Sequence, residues 1–74
     1  MATAKVIEII CEGETIEKAI NEGIQEATHT LDHVKQFDTK HIQAIIEGGR
    51  VVRYRVNGNL TFIIDKAMQE EDDR

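Results

Sequence analysis

A single amphipathic helix limits what this chain can become. In residues 15–31, TIEKAINEGIQEATHTL, the apolar and small positions are Ile16, Ala19, Ile20, Gly23, Ile24, Ala27 and Leu31. Their i, i+3, i+4, i+7 spacing gathers them into one stripe of an α-helix. Glu17, Lys18, Asn21, Glu22, Gln25 and His29 occupy the opposite side. At 1.5 Å per residue this helix is about 25 Å long. Thr15 is the expected N-cap, although Lys18 stands where a capping box wants Glu. Gly23 interrupts the stripe at a cost of up to about 1 kcal/mol relative to Ala, for which the close approach of a strand is the natural reason. No other segment is strongly helical, so the rest of the chain must cover Ile20 and Ile24 or hang from the result.

The remaining segments read as strands. Residues 5–11, KVIEIIC, are short and β-rich, and Glu12-Gly13-Glu14 reads as a turn. A second strand over 36–46 leads into Gly48-Gly49, a pair that tolerates the positive φ angles of a two-residue hairpin turn. Residues 50–64, RVVRYRVNGNLTFII, alternate: Val52, Tyr54, Val56, Leu60, Phe62 and Ile64 point to a core, and Arg53, Arg55, Asn57, Asn59 and Thr61 point away. Gly58 marks a bend or bulge. A tight turn pairs Ile45 with Val52, Gln43 with Tyr54, His41 with Val56 and Phe37 with Leu60 on the core side. Gln36, Asp38, Lys40, Ile42 and Ala44 then lie on the outward side, and a bulge at Gly58 would shift the far half by one. The order is β-α-β-β, an α+β fold in one domain over residues 1–65. The tail at 66–74, KAMQEEDDR, has no apolar periodicity and reads as disordered and acidic.

The third strand can span about 50 Å, twice the helix length, so one helix cannot cover it. A chain of 74 residues with Cys11 as its one cysteine forms no internal disulfide, and small domains without bridges or metal rely on oligomerisation. A lone cysteine suits a reducing cytoplasm. No apolar run reaches a membrane span, and the N-terminus lacks a signal-peptide pattern. A net charge of −5 and three aromatic residues (Phe37, Tyr54, Phe62) argue against nucleic-acid binding.

No nucleophile–base pair stands out, so the chain does not read as an enzyme. Glu22, Glu26, His29 and His33 fall on one helical stripe that has the ligands for a transition metal, but such a stripe is more often a solvated face, and no metal site is assigned. His41 is expected beneath the sheet or at its rim. Cys11 is expected to be a small buried hydrophobe.

The strand–helix–long hairpin order is carried by KVIEI at 5–9, TIEKAI at the helix start, ATHTL at 27–31, and VVRYRV before LTF. In that order and spacing the chain resembles the dodecin family. The resemblance implies a three-stranded antiparallel sheet wrapped around one helix, assembled as a hollow homododecamer. It also implies non-catalytic storage and buffering of a flavin (riboflavin, FMN or FAD). In the family a tryptophan on the second strand stacks on the flavin, and a glutamine after the tyrosine of the third strand bonds its polar edge.

Both positions differ here. Gln36 stands where the tryptophan is expected and Arg55 where the glutamine is expected, and the chain has no tryptophan at all. Gln36 offers little π surface. Arg55 is all donor, where an amide also accepts. Both share the outward face but lie far apart along the hairpin, so they meet only across protomers. Besides the flavin shell, two readings stay open: a shell that has lost flavin binding and holds an anionic or nucleotide-like ligand near Arg55, and a scaffold without a ligand.

Overall fold

The computed structural model describes residues 3–64. Four elements follow one another: β1 (Ala4–Gly13), α1 (Ile16–Thr28), β2 (Val34–Glu47) and β3 (Arg50–Ile63). β3 is the central strand of a three-stranded antiparallel sheet ordered β1-β3-β2, and α1 packs on one face of it, against β1 and β3. This is the expected β-α-β-β order. The expected tail at 66–74 lies outside the described residues.

Local chemistry explains the helix ends. Thr15 is extended (φ −130°), and its Oγ1 accepts from Lys18 N at 3.0 Å, so the cap forms without the glutamate of a full capping box. The helix stops at Thr28, three residues before its expected end at Leu31. There the Thr28 hydroxyl donates to Gln25 O at 2.9 Å, and Thr30 N and Leu31 N both donate to Ala27 O. Such short-range bonds tighten and end the last turn. His33 (φ +59°) then turns the chain into β2, and its carbonyl accepts from Ile63 N at 3.1 Å.

The core is small: Cys11, Ala19, Val56, Leu60 and Phe62 are buried, with Ile9, Ile20 and Phe37 packed partly against them. Ile24 is half-buried. A Cβ at Gly23 would overlap Cys11 Sγ, so the glycine in the stripe makes room for β1. Helix α1, 13 residues, reaches about 20 Å and β3, 14 residues, about 46 Å. The turn end of the hairpin therefore runs past both α1 and Gly13, the last residue of β1. Ile46, Val51 and Val52 lie exposed there, and Ile42, beside Val56 on the edge strand β2, is exposed as well. The molecule extends over 59 × 19 × 14 Å with a radius of gyration of 15.6 Å, against about 11 Å for a compact chain of this length.

The hairpin register differs from the simple one. A further shift at Lys35 pairs Val34 with Phe62, but around the turn and from Gln36 to Thr39 the expected pairing holds, including Phe37 with Leu60. Between them it is displaced by one: Ile45 pairs with Arg53, Ala44 with Tyr54, Gln43 with Arg55, Ile42 with Val56 and His41 with Asn57. Val52 is the extra residue where the displacement begins and Lys40, unpaired between Thr39 and His41, the one where it ends. Ile42 and Ala44 thus lie on the helix side, and His41, Gln43 and Ile45 on the outer side, the reverse of the expected assignment. The shift falls in the near half of the hairpin, not the far half. A one-residue displacement is enough to exchange the two faces, because side chains alternate with a period of two along a strand.

Candidate functional site

The outer face of the sheet collects the polar groups. Pairing sets Val6, Glu8, Ile10 and Glu12 of β1 beside Thr61, Asn59, Asn57 and Arg55 of β3. On β2 the same face carries Gln36, Asp38, His41, Gln43 and Ile45. Its strongest feature is an ion cluster. Glu12 accepts from Arg55 Nε at 2.8 Å through Oε2 and from Arg53 Nε at 3.2 Å through Oε1. Arg53 Nη1 also lies 3.7 Å from Glu47. Glu12, read from sequence as part of a turn, is thus a strand residue that holds both arginines. The signal was the continued alternation of Glu8, Ile10 and Glu12.

The hydrogen bond from Arg55 is the main reason that the Glu12 carboxyl sits below its usual pKa. Desolvation works against it, and Arg53 adds to the lowering. With the folded value below the unfolded one, the cluster contributes stability above the unfolded pKa, and that contribution is lost as pH falls through the folded pKa. Glu12→Gln should therefore melt below the wild type at neutral pH, and the two should converge in acid. Melting curves that run parallel at all pH values would show that the cluster adds nothing.

Gln36 is exposed, and its Nε2 donates to Asp38 Oδ2 at 3.0 Å. It pairs with Thr61, six positions along β3 from Arg55, about 20 Å away. Gln36 and Arg55 thus share the outer face, but one protomer does not bring them together. Tyr54, Phe37 and Phe62 all lie on the helix side, so among the described residues no aromatic ring stands on the outer face. Asn57 Nδ2 donates to Glu8 Oε2 at 3.0 Å, while its Oδ1 is shut from solvent without a partner.

The other candidates do not converge. The stripe of Glu22, Glu26, His29 and His33 is broken because α1 ends at Thr28, His29 is its C-cap and His33 lies in the turn beyond. Among the described residues no three His, Cys, Asp or Glu gather to hold a metal. His41, expected beneath the sheet or at its rim, is exposed on the outer face of the edge strand β2. Cys11 is buried under Gly23, and burial pushes its thiol pKa up, which suits a core residue and not a nucleophile. An open groove of about 330 Å³ between β1 and α1 is lined by Ile9, Cys11, Gly23 and Ala27, with Glu22 and Glu26 from the helix. No described helix is long and apolar enough to cross a membrane.

With this geometry, comparison with known proteins gives one consistent answer. The dodecin family model matches residues 3–65. Dodecin from Streptomyces davaonensis superposes with a TM-score of 0.81 at 25% identity, over 86% of this chain and 96% of that one. An arginine-to-alanine mutant of the T. thermophilus dodecin gives 0.82 at 27% identity, over 88% and 98%. Dodecin from Streptomyces coelicolor gives 0.82 at 23% identity, over 86% and 93%, a likeness of fold alone. No curated protein matches the sequence.

Proposed function

The chain belongs to the dodecin family, and from that premise we propose that it is a non-catalytic, flavin-binding storage and buffering protein, assembled as a cytoplasmic homododecameric shell. Two features of the same sheet carry the reading. The hairpin projects beyond its own helix with Ile46, Val51 and Val52 exposed, and Gln36 and Arg55 stand about 20 Å apart on one polar sheet face. Neighbouring copies would cover the first and bring the second together. The flavin, whether riboflavin, FMN or FAD, would lie between protomers against Gln36 and Arg55. Gln36 adds hydrogen bonds but no stacking surface, so binding is weaker than with a tryptophan there.

The competing reading, an anionic ligand held by Arg55, is less favoured because Glu12 already neutralises that guanidinium. The test is titration of riboflavin and FMN, read by free-flavin fluorescence, on protein whose light-scattering mass is about twelve times the 8.4 kDa chain. Gln36→Trp should tighten riboflavin binding about fivefold per added stack. If neither the wild type nor Gln36→Trp binds flavin while the mass stays intact, the flavin reading is overturned. A stable monomer or dimer at micromolar concentration overturns the shell.

A further inference from the structure

Asn57 and Gly58 form the one Asn-Gly step in the sequence. A glycine after asparagine puts no side chain in the way of its own backbone nitrogen, so in an open chain that nitrogen reaches the asparagine Cγ. The native sheet prevents this. Both residues lie in the central strand, Asn57 between Ile10 and His41 and Gly58 between Ile9 and Thr39. Side chains stand nearly perpendicular to a sheet, whereas backbone N–H groups lie in its plane, aimed at the neighbouring strands. The Asn57 carboxamide therefore points away from Gly58 N. It is also held there: Nδ2 donates to Glu8 Oε2 at 3.0 Å, and Oδ1 is shut from solvent without a partner.

We propose that Asn57-Gly58 is a deamidation site that the native sheet keeps closed, so that it reacts only in chains that have opened and bars their return. In the open chain the Gly58 nitrogen gives up its proton to solvent and attacks Asn57 Cγ. The Cγ–Nδ2 bond breaks, ammonia leaves with a proton from water, and a cyclic imide remains. Water then opens the ring. Cleavage between Cγ and the Gly58 nitrogen gives aspartate, and cleavage between the Asn57 carbonyl carbon and that nitrogen gives isoaspartate. One water is consumed and one ammonia released, with no oxidant or reductant. Neither product fits the sheet. Aspartate sets a carboxylate where an amide donates to Glu8, two like charges in place of a hydrogen bond. Isoaspartate adds one atom to the main chain between Val56 and Leu60, the largest fully buried side chains. It does so beside Gly58, where an added Cβ already overlaps the Asp38 carbonyl oxygen. The strand then cannot keep both its register and its alternation. Chemical change in the unfolded state is a general route to irreversible unfolding, and this chain carries it in its central strand.

The test holds the full chain at mildly alkaline pH, in buffer or in guanidinium chloride, with a reductant to keep Cys11 a thiol. Peptide mass spectrometry with electron-transfer fragmentation follows position 57 and tells aspartate from isoaspartate. In denaturant Asn57 should convert, while Asn21 and Asn59, followed by Glu22 and Leu60, stay amides. In buffer conversion should be slower by more than about tenfold, because reaction waits on the opening of a central strand. After the denaturant is removed, isoaspartate chains should be missing from the folded fraction on gel filtration and present in the rest. The same exposure at mildly acidic pH, where Gly58 N keeps its proton, should leave Asn57 intact and recovery full. Asn57→Gln, whose longer side chain cyclises far less readily, should recover after the alkaline exposure as well, and the acidic arm decides if that variant does not fold. No conversion in denaturant overturns the site. Equal rates with and without denaturant overturn its protection by the sheet. Isoaspartate chains that refold as well as unmodified ones overturn the bar on return.

Discussion

Gly58→Ala should destabilise the protein by more than about 3 kcal/mol, beyond the usual range for one added methyl group. A Cβ at Gly58 would overlap the Asp38 carbonyl oxygen and lie 3.0 Å from the Asp38 carbonyl carbon and from Phe37 Cε1. A side chain in that place could turn away, but backbone cannot. Asp38 pairs with Asn59 and Thr39 with Gly58, beside the bulge at Lys40, so relief means separating β2 from β3 where the register is set. Gly48→Ala is the control. Gly48 needs φ +61° but has open space around it, so the cost there is the left-handed backbone alone, about 1–2 kcal/mol. Urea unfolding at fixed protein concentration measures both, because folding and association are linked. A Gly58→Ala midpoint equal to that of the wild type would mean that β2 does not lie against Gly58.

Leu60→Ala should cost about 2–5 kcal/mol, the range for a fully buried leucine. Leu60 is 0% exposed and, with Val56, is one of the largest fully buried side chains. It pairs with Ile7 on β1 and Phe37 on β2, so its loss opens a gap at the centre of the sheet. With so few buried residues to repack, little of that gap closes. Small domains are stable by about 5–15 kcal/mol, so the loss should appear as a lower midpoint or as dissociation at micromolar concentration. Thr61→Ala, the next residue but on the outer face, should stay within about 0.5 kcal/mol. Equal effects from the two would show that the face assignment of β3 is wrong.

Most of the fold was legible because it rests on local pattern. The Thr15 cap, the apolar stripe with Gly23, and the alternation of β3 each depend on residues a few positions apart. The helix end was overread because Leu31 fits the apolar spacing, whereas the Thr28 and Thr30 hydroxyls bond to the last carbonyls. The β2 faces were misread for a sharper reason. Ile42 and Ala44 are the apolar residues of their stretch and His41 and Gln43 the polar ones, so the pattern pointed to the correct faces. The register of a tight turn at Gly48-Gly49 pointed the other way, and nothing in the sequence announces that Val52 is an extra residue. The shared face of Gln36 and Arg55 was legible. The Glu12 clamp was not, because it joins residues 43 apart and exists only once β1 lies beside β3.

The paired irregularities at Val52 and Lys40 also bear on how the hairpin forms. Two registers compete from the moment Gly48-Gly49 turns the chain. The straight one zips without a bulge and places Ile42 and Ala44 among the arginines. The native one accepts two bulges, at Val52 and Lys40, to bring them to the helix side. The hairpin by itself has little to choose between these, since a one-residue slip exchanges backbone bonds for equivalent ones. The native register is favoured when β1 and α1 arrive, because only then does Val56 meet Cys11 while Ile42 lies beside it. A chain caught in the straight register must unzip back to Val52 before it can change. The search is thus settled by contacts far apart in sequence, the kind that form slowly, and until they form the polar outer face does not yet exist.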